Sequence, residues 1–271
     1  MKLKVLVENN TYIDVDAMGE PGLCFYIEEG GKELLLDTGI TELYRKNAQF
    51  FGVDLSGVTA VVISHGHYDH TNGLKDLMAQ PYAKNIELVA HPAAFVHKQL
   101  ESGLDIGSQV IQSELEKVFR LTLTKEPYWL TDRLVFLGEI PRIFDFENRE
   151  PINLMRDMAG RLVPDPLVDD TALAYKGEAG VYVITGCSHS GVCNIIEQAK
   201  RVCGDDRVAG VIGGFHLFGV TGQLSSTVDY LSSGHIGLLA PCHCVNFPAK
   251  AAIHARLPVE EVAVGYEVIW R

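Results

Sequence analysis

The chain has 271 residues, 47% of them hydrophobic and 21% charged, so it is expected to form one large globular domain or two modest ones. A formal net charge of -12 disfavours binding to nucleic acid or to anionic membranes, because both depend on clustered lysine and arginine. No run approaches the about 18 apolar residues of a membrane span, and MKLKVLVENN lacks the features of a secretion signal. We therefore expect a cytoplasmic protein with reduced cysteines, whose oligomeric state composition leaves open.

The predicted elements begin with strands. KLKVLVEN is followed by GLCFYIEEGGKELLLDTG, in which Gly30 and Gly31 separate two apolar runs and predict a β-hairpin. ITELYRKNAQFFG has the apolar spacing of a helix, whereas TAVVIS is a short β-branched run that predicts a strand buried on both faces. Beyond it, Thr71 is expected to cap a helix that begins near Asn72.

The rest of the chain alternates in the same way. IELVAHP and the segment 93–100 predict another strand and another helix, and residues 101–168, with weak periodicity and several prolines, predict an inserted cap. Strands are expected again in TALAYKG, GVYVITG, RVAGVIGGFHL, HIGLLAPCHC and VAVGYEVIW, with a helix from Gly191 to Val202. This mixture predicts a mixed α/β (α+β) fold, a sandwich of two sheets flanked by helices, in a single domain spanning 1–271.

The segment SHGHYDHTNG, residues 64–73, crowds metal-ligand side chains at the end of a predicted buried strand. Its His65, His67, Asp69 and His70 offer three imidazoles and a carboxylate, which suit zinc and, comparably, iron or manganese. A loop leaving a strand can direct His65 and His67 toward one point and Asp69 and His70 toward another. The segment therefore predicts two divalent metal ions, with zinc favoured, at the roughly 3.5–4 Å spacing that lets two cations share a water.

SHGHYDHTNG closely resembles the HxHxDH motif of the metallo-β-lactamase superfamily, and LLLDTG, with Asp37, resembles the strand end that precedes it there. In order, VAHPAAF, FLGEIPR, DPLVDDTALAY, VITGCSHSGVCNI, VIGGFHL and APCHC are similar to the branch related to dihydropterin-ribofuranosylaminobenzene phosphate synthases. The resemblance covers nearly the whole chain and implies an αββα sandwich with metals at the edge between the sheets. It also implies that His65 and His67 bind the first metal, and Asp69 and His70 the second.

Later strand ends supply the remaining implied ligands. His189 follows VYVIT and His243 follows IGLLA. Cys187 stands where the superfamily commonly has a bridging aspartate, so it is read as a bridging thiolate, as a group beside the ligands, or as a buried thiol. Cys242 and Cys244 flank His243, but their Cys-x-Cys spacing argues against a standard iron–sulfur cluster.

Other residues are candidates for metal or substrate contact. Glu139 lies roughly where the superfamily's usual Gly-His-Thr loop would fall, and is read as a ligand, a substrate contact or a surface acid. Asp170 is likewise a candidate for metal or substrate contact, although the favoured interpretation is that it forms a solvated pair with Asp169. His91 is read as a site residue or, more readily, as a packing group at a strand end.

The implied function is a metal-dependent hydrolase or transferase for a phosphate- or pyrophosphate-bearing small molecule, with a pterin as the substrate that the branch suggests. The metals would hold a hydroxide near neutral pH, Asp69 would orient it or take its proton, and His216 is a candidate proton donor. Two alternatives remain: an electron-transfer protein with an iron centre tuned by Cys187 or the Cys-His-Cys loop, and a non-catalytic metal-containing sensor that binds a ligand under the cap.

Overall fold

The computed structural model describes residues 1–147 and 150–271. Its strands are β1 (Lys2–Val7), β2 (Cys24–Glu29), β3 (Lys32–Leu36), β4 (Val58–Val62), β5 (Glu87–Ala90), β6 (Lys98–Gln99), β7 (Arg120–Leu123), β8 (Tyr128–Trp129), β9 (Leu134–Phe136), β10 (Leu154–Arg156), β11 (Leu162–Pro164), β12 (Ala172–Lys176), β13 (Val181–Thr185), β14 (Val208–Gly213), β15 (Leu238–Pro241) and β16 (Glu267–Ile269). Its α-helices are α1 (Leu43–Phe50), α2 (Tyr68–Thr71), α3 (Leu74–Met78), α4 (Gln112–Leu115), α5 (Val192–Cys203), α6 (Gly222–Ser233) and α7 (Phe247–His254).

Two large sheets form the body of the molecule. In the described residues the first sheet has the order β16-β1-β2-β3-β4-β5-β7, the second has the order β15-β14-β13-β12-β9-β8, and a small third sheet has the order β11-β10-β6. The hairpin predicted at Gly30 and Gly31 is confirmed, since β2 and β3 pair from Phe25↔Leu36 to Glu29↔Lys32. Both glycines have positive φ, 58° and 75°, as two-residue hairpin turns require.

Three apolar layers in the described residues hold the sheets and helices together. One lies between the two sheets, one lies between the first sheet and helices α1 and α3, and one lies between the second sheet and helices α5, α6 and α7. Because strand side chains alternate, Leu34 and Leu36 of β3 enter the layer between the sheets, whereas Leu35 enters the layer under the helices. Each such leucine is fully buried and contributes about 1.5–3 kcal/mol. The predicted αββα sandwich is confirmed.

The strand directions bring the candidate site residues to one edge. Strands β3, β4 and β5 run parallel in the first sheet, and strands β13, β14 and β15 run parallel in the second. The carboxyl ends of parallel strands meet at the same edge of a sheet, where ligands bind in many mixed folds. Residues that follow these ends are Asp37, His65, His91, Cys187, His189, His216 and His243.

Two local predictions are wrong. Helix α3 begins at Leu74, close to the expected start near Asn72, but Thr71 lies inside the preceding helix α2, and its hydroxyl donates back to the His67 carbonyl at 2.9 Å instead of capping a helix start. The segment 93–100 forms a turn and the short strand β6, because Lys98 is drawn into a buried ion network that helical spacing does not anticipate.

The insertion predicted over residues 101–168 does not occupy that whole segment. Strand β7 belongs to the first sheet, and strands β8 and β9 belong to the second, so residues 120–136 contribute to the sandwich itself. These strands have only two to four residues, too few to show a period in the sequence. None of the helices in the described ranges is long and apolar enough to cross a membrane.

Candidate metal centre

The histidine motif leaves β4 and turns directly into helix α2. His65 and His67 lie on the connecting loop, and Asp69 and His70 lie in the helical turn. Gly66 between the two histidines is packed against backbone, since a Cβ there would lie 1.9 Å from the Ala94 carbonyl oxygen. The loop is therefore held too tightly for any side chain at this position.

Three histidines form the first donor triad, His65, His67 and His189. The His65 Nε2 and His67 Nδ1 atoms lie 3.0 Å apart, and one ring nitrogen from each of the three histidines lies within 4.8 Å of the others. Burial lowers the pKa of His65 well below its ordinary value and lowers the pKa of His67 to about 4. Both rings are therefore neutral, with lone pairs available to a cation.

Asp69, His70 and His243 form the second triad. The Asp69 Oδ2 atom lies 3.5 Å from His70 Nε2 and 3.3 Å from His243 Nε2, and the two ring nitrogens are 3.2 Å apart. Although burial opposes it, the His70 and His243 rings hold the pKa of Asp69 well below its ordinary value. The carboxylate is thus an anionic donor between two imidazoles.

The second triad has the spacing and the electron-pair arrangement of a metal site. Ligands about 2.0–2.1 Å from a tetrahedral zinc ion lie about 3.4 Å from each other, close to the three distances observed in the triad. His70 Nε2 carries at most one proton, yet it faces the Asp69 carboxylate, His243 Nε2 and Cys187 Sγ, the last at 3.2 Å. At most one of these contacts is a hydrogen bond from His70, whereas a cation satisfies them all.

Buried polar groups behind the triads orient the rings. Asp37 Oδ2 accepts from His70 Nδ1 and from the Ser64 hydroxyl, each at 2.7 Å. Because the Ser64 proton points to that carboxylate, the Ser64 oxygen accepts from His65 Nδ1 at 3.0 Å. Both rings therefore direct Nε2 toward the centre, which is how carboxylates behind histidines prepare metal ligands. Burial alone lowers the pKa of His70, but Asp69 and Asp37 outweigh it and raise this pKa well above its ordinary value.

A second set of such partners holds His243. Asn9 Oδ1 accepts from His243 Nδ1 at 3.0 Å, and the buried Glu8 carboxylate accepts from the His243 backbone N–H at 2.7 Å. Sequence reasoning missed Glu8, Asn9 and Ser64 and gave Asp37 no role at the site. A buried strand ending in a carboxylate, as in LLLDTG, was the available signal for Asp37, whereas nothing local marks Asn9.

Of the three cysteines singled out in the sequence, Cys187 and Cys244 lie at the site and Cys242 lies in the core. Cys187 Sγ lies in donor groups with His65 and His70, and the Cys244 sulfur lies in one with Cys187 and His243. Cys242 packs in the layer between the sheets and belongs to no donor group in the part of the chain that the structure describes. All three are free thiols.

His216 lies beside the first triad. Its ring centroid is 4.3 Å from that of His189, and its Nδ1 has no hydrogen-bond partner within residues 1–147 and 150–271. Its backbone has a positive φ of 49°, and Asp37, Ser188 and His243 are likewise in the left-handed region at 61°, 57° and 54°. Such strain in non-glycine residues is concentrated at functional sites.

Three acidic candidates lie outside the donor groups found in the described residues. Glu139 is exposed and pairs with His91 at 3.4 Å and with Lys125 at 3.5 Å, so His91 also lies apart from both triads. The favoured interpretation of Asp169 and Asp170 as a solvated pair is wrong, since both are fully buried.

The two buried aspartates support the metal-binding loops from behind. Asp169 accepts from the Gly66 N–H at 2.8 Å and from Lys98 at 2.9 Å. Asp170 accepts from the Ser190 N–H at 2.8 Å, next to His189, and burial raises the pKa of Asp170 to about 6. Both aspartates are buried because they accept hydrogen bonds from backbone N–H groups of these loops. Those N–H groups would have no partner if the two carboxylates were solvated.

A small pocket with a cavity volume of about 20 Å³ opens beside the first triad. His189 and His216 lie on its inner side, and Arg142, Ile152 and Leu167 lie on its outer wall. In this conformation the pocket has room for about one water molecule, so a larger ligand requires the lining residues to move apart.

The fold and the site together define an αββα protein with two histidine-rich donor triads at one edge of its sheets. A family model described as the metallo-beta-lactamase superfamily matches residues 17–203. The chain belongs to the metallo-β-lactamase superfamily, as its motifs predict.

Several known proteins are similar to this chain over nearly its whole length. The chain is 34% identical over 252 residues to an uncharacterized protein of Methanocaldococcus jannaschii, covering 91% of each. It is 28% identical to the 7,8-dihydropterin-6-methyl-4-(beta-D-ribofuranosyl)-aminobenzene-5'-phosphate synthase of the same organism, covering 92% of this chain and 89% of that one. The crystal structure of Tm1679, a metal-dependent hydrolase of the beta-lactamase superfamily, superimposes with a TM-score of 0.85 at 23% identity, covering 99% of this chain and 98% of that one.

Proposed function

We propose that the chain is a metal-dependent hydrolase or transferase with a dinuclear centre, acting on a phosphate- or pyrophosphate-bearing small molecule. The observation that carries the proposal is the pair of donor triads, one of three histidines and one of two histidines and a carboxylate. His65, His67 and His189 would hold one divalent cation, and Asp69, His70 and His243 would hold the other, with zinc favoured over iron or manganese. When bound, two such cations polarise a substrate oxygen and make a nucleophile available near neutral pH.

The chain's own groups account for proton transfer. The Asp69 carboxylate, held ionised by its two histidines, orients the attacking water by accepting a hydrogen bond from it. His216 Nδ1 is buried without a protein partner in the described ranges and lies at the pocket, so it is the group that donates a proton to the leaving oxygen.

The pocket lining and one relative support the proposed substrate class. Arg142 supplies positive charge at the wall beside the acidic Glu150 and Asp165, and Ile152 and Leu167 supply apolar surface. The Phe218 ring is 60% exposed and lies edge-on to His216, with 4.7 Å between ring centroids. An exposed aromatic ring beside a donor site suits a planar heterocycle such as a pterin, the group named in the 28% identical relative.

The outer wall of the pocket is proposed to act as the cap. Arg142, Ile152 and Leu167 all come from the latter part of the segment 101–168, and Arg142 donates to the Pro166 and Leu167 carbonyls. These hydrogen bonds join two parts of the wall beside His189 and His216. Closure of this wall over a bound substrate would exclude water from the reacting groups.

The proposal is tested by metal analysis of protein purified without added metal, followed by turnover assays on phosphodiesters and phosphorylated pterins. We expect His67→Ala to lower bound metal sharply and to abolish hydrolysis, because His67 Nδ1 is one of the converging donors. His254→Ala, which removes an exposed histidine at the end of α7, is the matched control and should change neither. Unchanged metal content in the His67 variant, or wild-type protein that binds well under one transition-metal ion per chain, would overturn the proposal.

A further inference from the structure

Cys187 lies between the two donor triads. Its Sγ atom is 3.2 Å from His70 Nε2 of the second triad and lies within 4.8 Å of a ring nitrogen of His65 in the first. It also lies within 4.8 Å of donor atoms of His189 and His243, one from each triad. A zinc-bound sulfur and a zinc-bound nitrogen are about 3.5 Å apart, so the contact with His70 has the length of two ligands on one metal.

The surroundings of Cys187 differ from those of an ordinary buried thiol. The residue is 4% exposed, and thiols buried to this extent usually pack among apolar side chains. Here the sulfur faces ring nitrogens whose other nitrogens are already engaged, as His70 Nδ1 is with Asp37. The thiol has one S–H proton, so it can donate a hydrogen bond to only one of the acceptors that converge on it.

The neighbouring cysteines provide a contrast within the same chain. The Cys244 sulfur accepts from the His216 backbone N–H at 3.2 Å, and its S–H donates to the Cys187 carbonyl at 3.5 Å. These contacts with backbone groups join two loops, and the Cys244 sulfur also lies within 4.8 Å of donor atoms of Cys187 and His243, in a group that includes no residue of the first triad. Cys242 lies in the apolar layer between the sheets.

We propose that the Cys187 thiolate is a metal ligand that bridges the two triads. On binding, the S–H bond breaks, its proton passes to solvent, and the sulfur electron pair is donated to the cations. A sulfur donor at this position makes the centre select zinc or iron(II) over manganese or magnesium, because thiolates prefer the softer metals. The inference rests on the dinuclear centre proposed above but requires no particular substrate.

The first test is cobalt(II) substitution of the metal-free protein, followed by absorption spectroscopy. Thiolate coordination produces a near-ultraviolet sulfur-to-cobalt band, which we expect in the wild type and in Cys242→Ser, and which should be lost in Cys187→Ser. Circular dichroism establishes that each variant is folded. Retention of the band in folded Cys187→Ser, or its absence from wild type that binds cobalt, would overturn the inference.

The second test uses wild-type protein alone, so it stands even if the Cys187 variant does not fold. In the protein loaded with two zinc ions, X-ray absorption at the zinc edge should show about one sulfur per zinc at about 2.3 Å for a bridging thiolate. An average of about half a sulfur per zinc would overturn the bridge, and the absence of sulfur would overturn ligation altogether. Zinc–sulfur scattering without turnover would contradict only the proposed function, whereas turnover without such scattering would contradict only this inference.

Discussion

Asp37 is expected to control metal affinity without touching the metal. The residue has a positive φ of 61°, which asparagine tolerates, so Asp37→Asn keeps the backbone and the shape of the side chain. The Ser64 N–H donates to Asp37 Oδ1 in the wild type, and the amide oxygen of the variant retains that bond. In this orientation the amide NH2 group of the variant replaces the oxygen that accepts from His70 Nδ1 and from the Ser64 hydroxyl, each at 2.7 Å.

Two donors then face each other once His70 becomes neutral, as metal binding requires, so the neutral ring in the variant favours the tautomer with its proton on Nε2. That proton occupies the lone pair which His70 would offer to the cation, and binding requires its removal. Loss of a partner of this kind costs about 10–100-fold in metal affinity, which corresponds to about 1.4–2.7 kcal/mol.

The assay is competition for zinc between the metal-free protein and a chromophoric chelator. Asp76→Asn is the matched control, because Asp76 accepts from Tyr44 and Arg45 away from the histidines and its loss should leave zinc affinity unchanged. Zinc affinity of the Asp37 variant within about twofold of wild type would refute the tautomer argument, whatever its thermal stability.

Two further changes test the support behind the metal-binding loop. Gly66→Ala should lower both the melting temperature and bound metal, because its Cβ meets a carbonyl oxygen at 1.9 Å; thermal unfolding and metal analysis check this, with Gly219→Ala, which has open space, as the neutral control. Lys98→Met should cost about 3–5 kcal/mol in urea unfolding, because it leaves two buried carboxylates, Asp165 and Asp169, without their cation. A loss below about 1 kcal/mol would show that these carboxylates are not charged in the folded protein.

Much of the fold was predictable from local pattern. The hairpin at Gly30 and Gly31 and the strand in TAVVIS follow from turn chemistry and from β-branched runs, which act over a few residues. The segment 93–100 was mispredicted, because burial of Lys98 against Asp169, at a sequence separation of 71 residues, outweighs its local preference. The strands β7 to β9 were not predicted, because pairing with neighbouring strands stabilises them and their own short sequences carry no strand pattern.

The candidate site was likewise only partly predictable from the sequence. The sequence by itself determined which side chains carry metal-ligand chemistry, since the spacing in SHGHYDHTNG and the histidines after VYVIT and IGLLA need only strand ends to be recognised. Only the tertiary structure decided how they are grouped, with His189 beside His65 and His67, and His243 beside Asp69 and His70. It also decided which groups orient them, as when Asn9 meets His243 across a sequence separation of 234 residues. Ligand identity is a property of individual side chains, but convergence depends on where two sheets place their strand ends, which no local segment encodes.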